Sequence, residues 1–141
     1  MSKISRHIVG EASELKINLI ELSKNYTNIL FEKIMVKYIE KPVGTFVWEK
    51  IVDNFSVCDG NAWKWINEFI QNKNTIMILL DEEASFIFQN GEDVVLLLAE
   101  LYPFEFFLTD ENLTYLLCYN HHDYLTASGI AKEWLKSRYK A

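Results

Sequence analysis

The chain is poor in the residues that build disulfide frameworks, phosphate loops and membrane spans. It has two cysteines, Cys58 and Cys118, without a CxxC spacing. This favours reduced thiols in a cytoplasmic protein, with a Cys58–Cys118 disulfide as the open alternative. The five glycines form no phosphate-cradling loop. No apolar run reaches the ~20 residues that cross a bilayer, and the first residues, MSKISRHIVGEASELK, make a poor signal peptide.

Basic residues are scarce in the middle of the sequence. The formal charge is −6 overall. Residues 1–41 carry a net +2, residues 42–125 a net −11 and residues 126–141 a net +3. Nucleic-acid binding needs clustered Lys and Arg, so the acidic middle argues against a nucleic-acid partner. It favours a basic protein partner; the alternative is that the charge serves solubility alone.

Apolar and aromatic residues are plentiful. Half of the 141 residues are hydrophobic, including four Trp, seven Tyr and nine Phe. A chain of this length and composition predicts a single domain, residues 1–141, with a substantial core. Membrane insertion and a cofactor are not expected, and the oligomeric state is left open.

Helical patterns dominate the front of the chain. Apolar residues recur near 3.6-residue spacing in ISRHIVGEASELKINLIELS and in NYTNILFEKIMVKYIEK, and Gly10 leaves open whether the first stretch is one helix or two. Pro42 and Gly44 make a break after this region. Further helices are predicted after Asp59 or Asn61 and after Asn90, each of which can cap a helix, and over residues 130–139.

Strand patterns fill most of the rest. NTIMILL (residues 74–80) and residues 85–88 read as strands, and PFEFFLTDENLTYLLCYN predicts a hairpin with a four-residue loop at Thr109–Asn112. The second hairpin strand is apolar on both faces, which predicts a central position. Residues 120–123 are predicted to form a turn, and residues 124–127 are predicted to form a further strand. The resulting fold class is α+β: an antiparallel sheet of about four to five strands with helices packed against it, a helical N-terminal third and a C-terminal helix.

The run LLCYNHHDYL (residues 116–125) raises the question of chemistry. Asn120, His121, His122 and Asp123 admit three interpretations: a metal site, a catalytic dyad with Cys118 or Asp123, or a turn. Adjacent strand residues point to opposite faces, so the two imidazoles converge on a metal only if the backbone turns. Asn and Asp bond their own backbone at turns, which favours the turn interpretation. We therefore predict no catalytic and no metal-binding residues.

Two other clusters are candidates for a binding surface. Asp81-Glu82-Glu83 is either a solvated turn or the centre of an acidic patch, and Trp63 and Trp65 are either core or interface residues. The predicted binding residues are Asp81, Glu82, Glu83, Trp63, Trp65, Asn120, His121, His122 and Asp123.

Three stretches carry a resemblance to a known group. WKWINEFI, FQNGEDVVLLLAELYPFEFFLTD and LLCYNHHDYLTASG together resemble a family of small bacterial domains of unknown function, over about residues 40–138. The resemblance implies no catalytic residue. More loosely, the size, acidity and order of elements are similar to immunity proteins that neutralise bacterial polymorphic toxins. A non-enzymatic interaction protein is therefore the leading hypothesis, and a small hydrolase or metal-binding protein using His121, His122 and Asp123 is the alternative.

Overall fold

Within the residues that the structure describes, the fold is built from five α-helices and seven strands. The computed structural model describes residues 3–39, 51–101 and 104–140, so the predicted break at Pro42 and Gly44 lies outside the described residues. The helices are α1 (Ile4–Glu14), α2 (Lys24–Tyr38), α3 (Ile66–Ile70), α4 (Gly91–Glu100) and α5 (Ala131–Lys140). The strands are β1 (Leu19–Glu21), β2 (Phe55–Cys58), β3 (Thr75–Leu79), β4 (Ala84–Phe88), β5 (Phe106–Thr109), β6 (Tyr115–Tyr119) and β7 (Tyr124–Gly129).

All seven strands form one antiparallel sheet in the order β1-β4-β3-β5-β6-β7-β2. The α+β class is therefore confirmed, whereas the prediction of four to five strands is wrong. The two unpredicted strands, β1 and β2, are the edges of the sheet. They have three and four residues, with partly or fully exposed positions, so they lack the apolar run that identifies the inner strands.

The inner strands have the apolar sequence pattern from which they were predicted. Every residue of β3, β5 and β6 is buried, because helices cover both faces of the sheet. Helices α1, α3, α4 and α5 pack on one face, against side chains such as Met77, Phe86 and Leu117. Helix α2 packs on the other, against Ile76, Ile78 and Leu116. The position of β6 inside the sheet confirms the prediction of a central second hairpin strand.

Helix α4 begins at a capping residue. The Asn90 side chain accepts a hydrogen bond from the Asp93 amide (2.8 Å), which confirms the predicted cap of α4. Asp59 accepts from the Asn61 amide (2.8 Å), and a one-turn 3-10 helix, Ala62–Trp65, then leads into α3. The N-terminal third is not wholly helical, because β1 separates α1 from α2. No helix in the described part of the chain is both long and apolar enough to cross a membrane.

Candidate functional site

The loops at one end of the sheet gather acidic side chains. In an antiparallel sheet the loops that follow β2, β3 and β6 and the segment that precedes β5 lie at the same end. We call this end of the sheet the acidic edge; it is the end at which these strands begin or finish and is distinct from the edge strands β1 and β2. It is defined by the carboxylates that its loops carry: Asp59, Asp81, Glu82, Glu83, Glu105 and Asp123. The topology therefore brings together acidic residues that are as much as 64 positions apart in sequence.

A cleft of about 680 Å³ opens at this edge. It lies between the start of α1, helix α2 and the ends of strands β3, β5 and β6. Ile78, Phe107 and Cys118 contribute buried side chains, while Asp81, Glu82, Glu105 and His121 supply the polar lining. Three of the predicted binding residues, Asp81, Glu82 and His121, thus share one cavity.

His121 is paired with a carboxylate that the sequence did not single out. Glu105 Oε2 contacts His121 Nδ1 and also accepts a hydrogen bond from the His121 amide (3.3 Å). The His122 ring lies beside it, with ring centroids 3.9 Å apart. A carboxylate that orients an imidazole is one half of a general-base arrangement. The chemical question therefore reduces to whether a nucleophile or a metal accompanies the pair.

Cys118 does not meet the requirements of a nucleophile. Burial raises the pKa of the Cys118 thiol well above its ordinary value, and the charge of Glu105 raises it further. The thiol is therefore neutral at physiological pH, whereas the thiolate is the reactive form. In residues 3–39, 51–101 and 104–140, no three His, Cys, Asp or Glu side chains are placed to hold a metal ion.

Asp123 lines a different cavity from His121, although only His122 lies between them in sequence. It has a left-handed backbone (φ 66°), and it accepts a hydrogen bond from the Tyr119 hydroxyl at 3.0 Å. Burial and this bond raise the pKa of Tyr119. Asp123 lines a second cavity of about 140 Å³ with Gly60 and Trp63, whereas His121 lines the larger cleft. His121 and Asp123, the two ends of the His-His-Asp run, thus line different cavities.

Asn120 organises the turn that divides them. Its side chain is buried, and Oδ1 accepts hydrogen bonds from the amides of His122 (2.9 Å) and Tyr124 (3.2 Å). The Asp123 amide donates to the Asn120 carbonyl (3.1 Å), which closes the turn. The residues 120–123 therefore form the predicted turn, held by the asparagine.

The two predicted tryptophans are half-buried and point to different neighbours. Trp63 lines the smaller cavity near Asp123, and the Lys64 ammonium lies 5.5 Å from its ring centroid. Trp65 packs against Arg138 of α5, with the guanidinium carbon 4.5 Å from the ring centroid. Only Trp63 therefore lies with the other candidate residues.

Glu82 and Glu83 are tied to the fold. Glu82 accepts hydrogen bonds from the amides of Ile4 (3.0 Å) and Ser5 (2.9 Å), at the start of α1. Glu83 accepts from the Asn28 side chain (3.0 Å) and pairs with Lys24 (3.5 Å) on α2. Of the predicted acidic triplet, Asp81 is the residue for which no such bond exists within the described part of the chain.

We expect Glu82→Ala to lower the free energy of unfolding by about 1 kcal/mol at neutral pH, because two helix-terminal amides lose their acceptor. Desolvation raises the pKa of Glu82, but the bonds from Ser5 and Ile4 and the charge of Lys3 outweigh it, so the net pKa is lowered from 4.5. A lowered pKa stabilises the fold above the unfolded-state value, and the contribution is lost as the pH falls through the folded-state value. Urea denaturation at pH 7 and at pH 3 measures this: the difference from wild type should shrink in acid, and a constant difference would contradict it.

Comparison of the chain with protein-family models, curated proteins and solved structures finds no match. Functional inference therefore depends on the acidic edge and its cavities.

Proposed function

We propose that the protein is a non-enzymatic interaction domain that binds a basic protein partner through the acidic edge. The observation that carries the proposal is the convergence of carboxylates from separate loops at one end of the sheet. Such a surface steers a positively charged partner and selects against acidic ones. An immunity protein that covers the basic active-site surface of a toxin is the biological role that we propose for it, and a cytoplasmic location accords with that role.

The alternative is a small hydrolase that uses His121 as a base. The contact between Glu105 and His121 at the mouth of a cleft favours this alternative. Two observations weigh against it: burial keeps the Cys118 thiol protonated, and Asp123 lines the other cavity. The pair then serves to hold the turn against the segment before β5.

Partner binding should depend on the acidic edge and on salt. We expect Asp59→Asn/Asp81→Asn to reduce retention of the partner about tenfold, since both substitutions keep the shape of the side chain and remove its charge. The matched control is Glu92→Gln/Glu111→Gln, which removes the same charge at the opposite end of the sheet, where both side chains are exposed. Retention by the wild type should also fall as the ionic strength rises.

The measurement is capture of proteins from a lysate of the cells that encode the chain, at low and at high salt, with identification by mass spectrometry. A basic protein retained by the wild type and the control, but lost from the Asp59→Asn/Asp81→Asn variant, is the expected result. Equal retention by both variants, or no basic protein at low salt, would contradict the proposal. The hydrolase alternative predicts instead that His121→Ala abolishes turnover of an ester or amide substrate.

A further inference from the structure

The larger cleft has the composition of a small-molecule site. Its volume of about 680 Å³ lies inside the range of roughly 300–1,000 Å³ that is usual for such sites. Phe31 from α2 and Phe107 from β5 contribute aromatic side chains, and Ile78 and Leu80 add aliphatic ones. Protein binding by the acidic edge does not require an apolar cleft of this size.

Carboxylates supply most of the charge that lines this apolar space. Its lining carboxylates are Asp81, Glu82 and Glu105, and within the described residues no Lys or Arg lines the cleft. Glu82 is bonded to the amides of Ile4 and Ser5, and Glu105 contacts His121. Asp81 is exposed and is therefore placed to meet a ligand cation.

We propose that the cleft binds a small molecule with an aromatic or aliphatic body and one ammonium group. The apolar side chains pack against the aromatic or aliphatic part of the ligand, and Asp81 and Glu105 attract its ammonium group. Aromatic side chains also favour a cation near their faces. A carboxylate on the same body would meet three like charges, which disfavours it.

Calorimetric titration with three compounds that share an indole ring tests the proposal: tryptamine (a cation), tryptophol (neutral) and indolepropionate (an anion). Tryptamine should bind about tenfold more tightly than tryptophol, and indolepropionate more weakly than both, because the lining charges are negative. Raising the salt concentration should weaken tryptamine binding and leave tryptophol binding unchanged.

Two variants localise the site. Asp81→Asn, isosteric and on an exposed turn, should weaken tryptamine binding about threefold without changing tryptophol binding. Leu80→Trp, which fills the cleft, should weaken both, with thermal unfolding as the check that it folds. Glu111→Gln, at the other end of the sheet, should change neither. The proposal is overturned if indolepropionate binds as tightly as tryptamine, if tryptamine does not bind, or if Asp81→Asn leaves its affinity unchanged.

Discussion

Gly129→Ala should lower the free energy of unfolding by about 3 kcal/mol. Gly129 ends β7 with a left-handed backbone (φ 67°), a conformation that costs about 1–2 kcal/mol for a residue with a Cβ. A Cβ there would also lie 2.5 Å from the Thr114 carbonyl oxygen and 2.8 Å from Tyr115 Cα. Both are backbone atoms, so relief requires the β5–β6 loop to move away from β7.

The substitution also disturbs α2 through one hydroxyl. The added Cβ would lie 2.7 Å from the Tyr38 hydroxyl oxygen, which donates a 2.6 Å hydrogen bond to the Leu113 carbonyl. Tyr38 and Leu113 are both buried, and the Leu113 carbonyl also accepts from Lys37 Nζ (2.7 Å), so displacement of the hydroxyl removes one of its two donors. Strain and the lost bond therefore act in the same direction.

The matched control for this prediction is Gly10→Ala. Gly10 lies inside α1, and a Cβ there would meet no atom within 4 Å. Alanine should stabilise the protein by about 0.5–1 kcal/mol, because it restricts the unfolded chain and favours helix. Urea denaturation of both variants measures the difference; equal stability of Gly129→Ala and wild type would show that the loop yields without cost.

How much of the fold the sequence predicts depends on burial. Strands β3 and β6 have unbroken apolar runs because both faces of the sheet are covered, and each was predicted nearly to its bounds. At the edges, β1 has a half-buried residue and two exposed ones, so no local pattern marks it as a strand. Pairing with β4 creates this strand, and a long-range pairing leaves no signal in three residues.

The register of the β5–β6 hairpin explains why Glu105 was missed. A four-residue loop at Thr109–Asn112 pairs Leu108 with Leu113, whereas the structure pairs Leu108 with Leu117. Leu113 belongs to the loop, with φ 55°, and Asp110 fixes that loop by accepting from the Thr114 amide (2.8 Å). The shift in register carries the segment before β5 alongside the Asn120–Asp123 turn, where Glu105 meets His121.

The candidate site was predicted in its residue types but not in its grouping. The acidic turn at Asp81–Glu83 and the turn at Asn120–Asp123 were singled out separately, and the antiparallel topology places both at one end of the sheet. Two of the acidic residues, Glu82 and Glu83, are occupied by bonds to α1 and α2. Such long-range bonds are set by packing and leave no signal in the sequence. Charge patterning alone therefore overstates the number of carboxylates that are available to a partner.

Asn120→Ala should lower the free energy of unfolding by about 2 kcal/mol. The sequence alone draws attention to the two neighbouring imidazoles, but we expect the asparagine to contribute more to stability than either of them. Its Oδ1 is the acceptor for the amides of His122 and Tyr124, and only 2% of the residue is exposed. Removal of the acceptor leaves two amides of a tight turn without this partner, and each costs about 1 kcal/mol or more where water does not reach it.

His122→Ala is the control, since the His122 side chain is exposed and the backbone bonds of the turn do not use it. Its effect should stay within about 0.5 kcal/mol. Amide exchange adds a local measurement: the Tyr124 amide should lose protection in Asn120→Ala and keep it in His122→Ala. If His122→Ala instead destabilised the protein as strongly as Asn120→Ala, the imidazole would be part of the scaffold.

The Asn120 side chain holds the turn that directs His121 to the larger cleft and Asp123 to the smaller one. Asn120→Ala should therefore also change the affinity for tryptamine, whereas His122→Ala should leave that affinity unchanged.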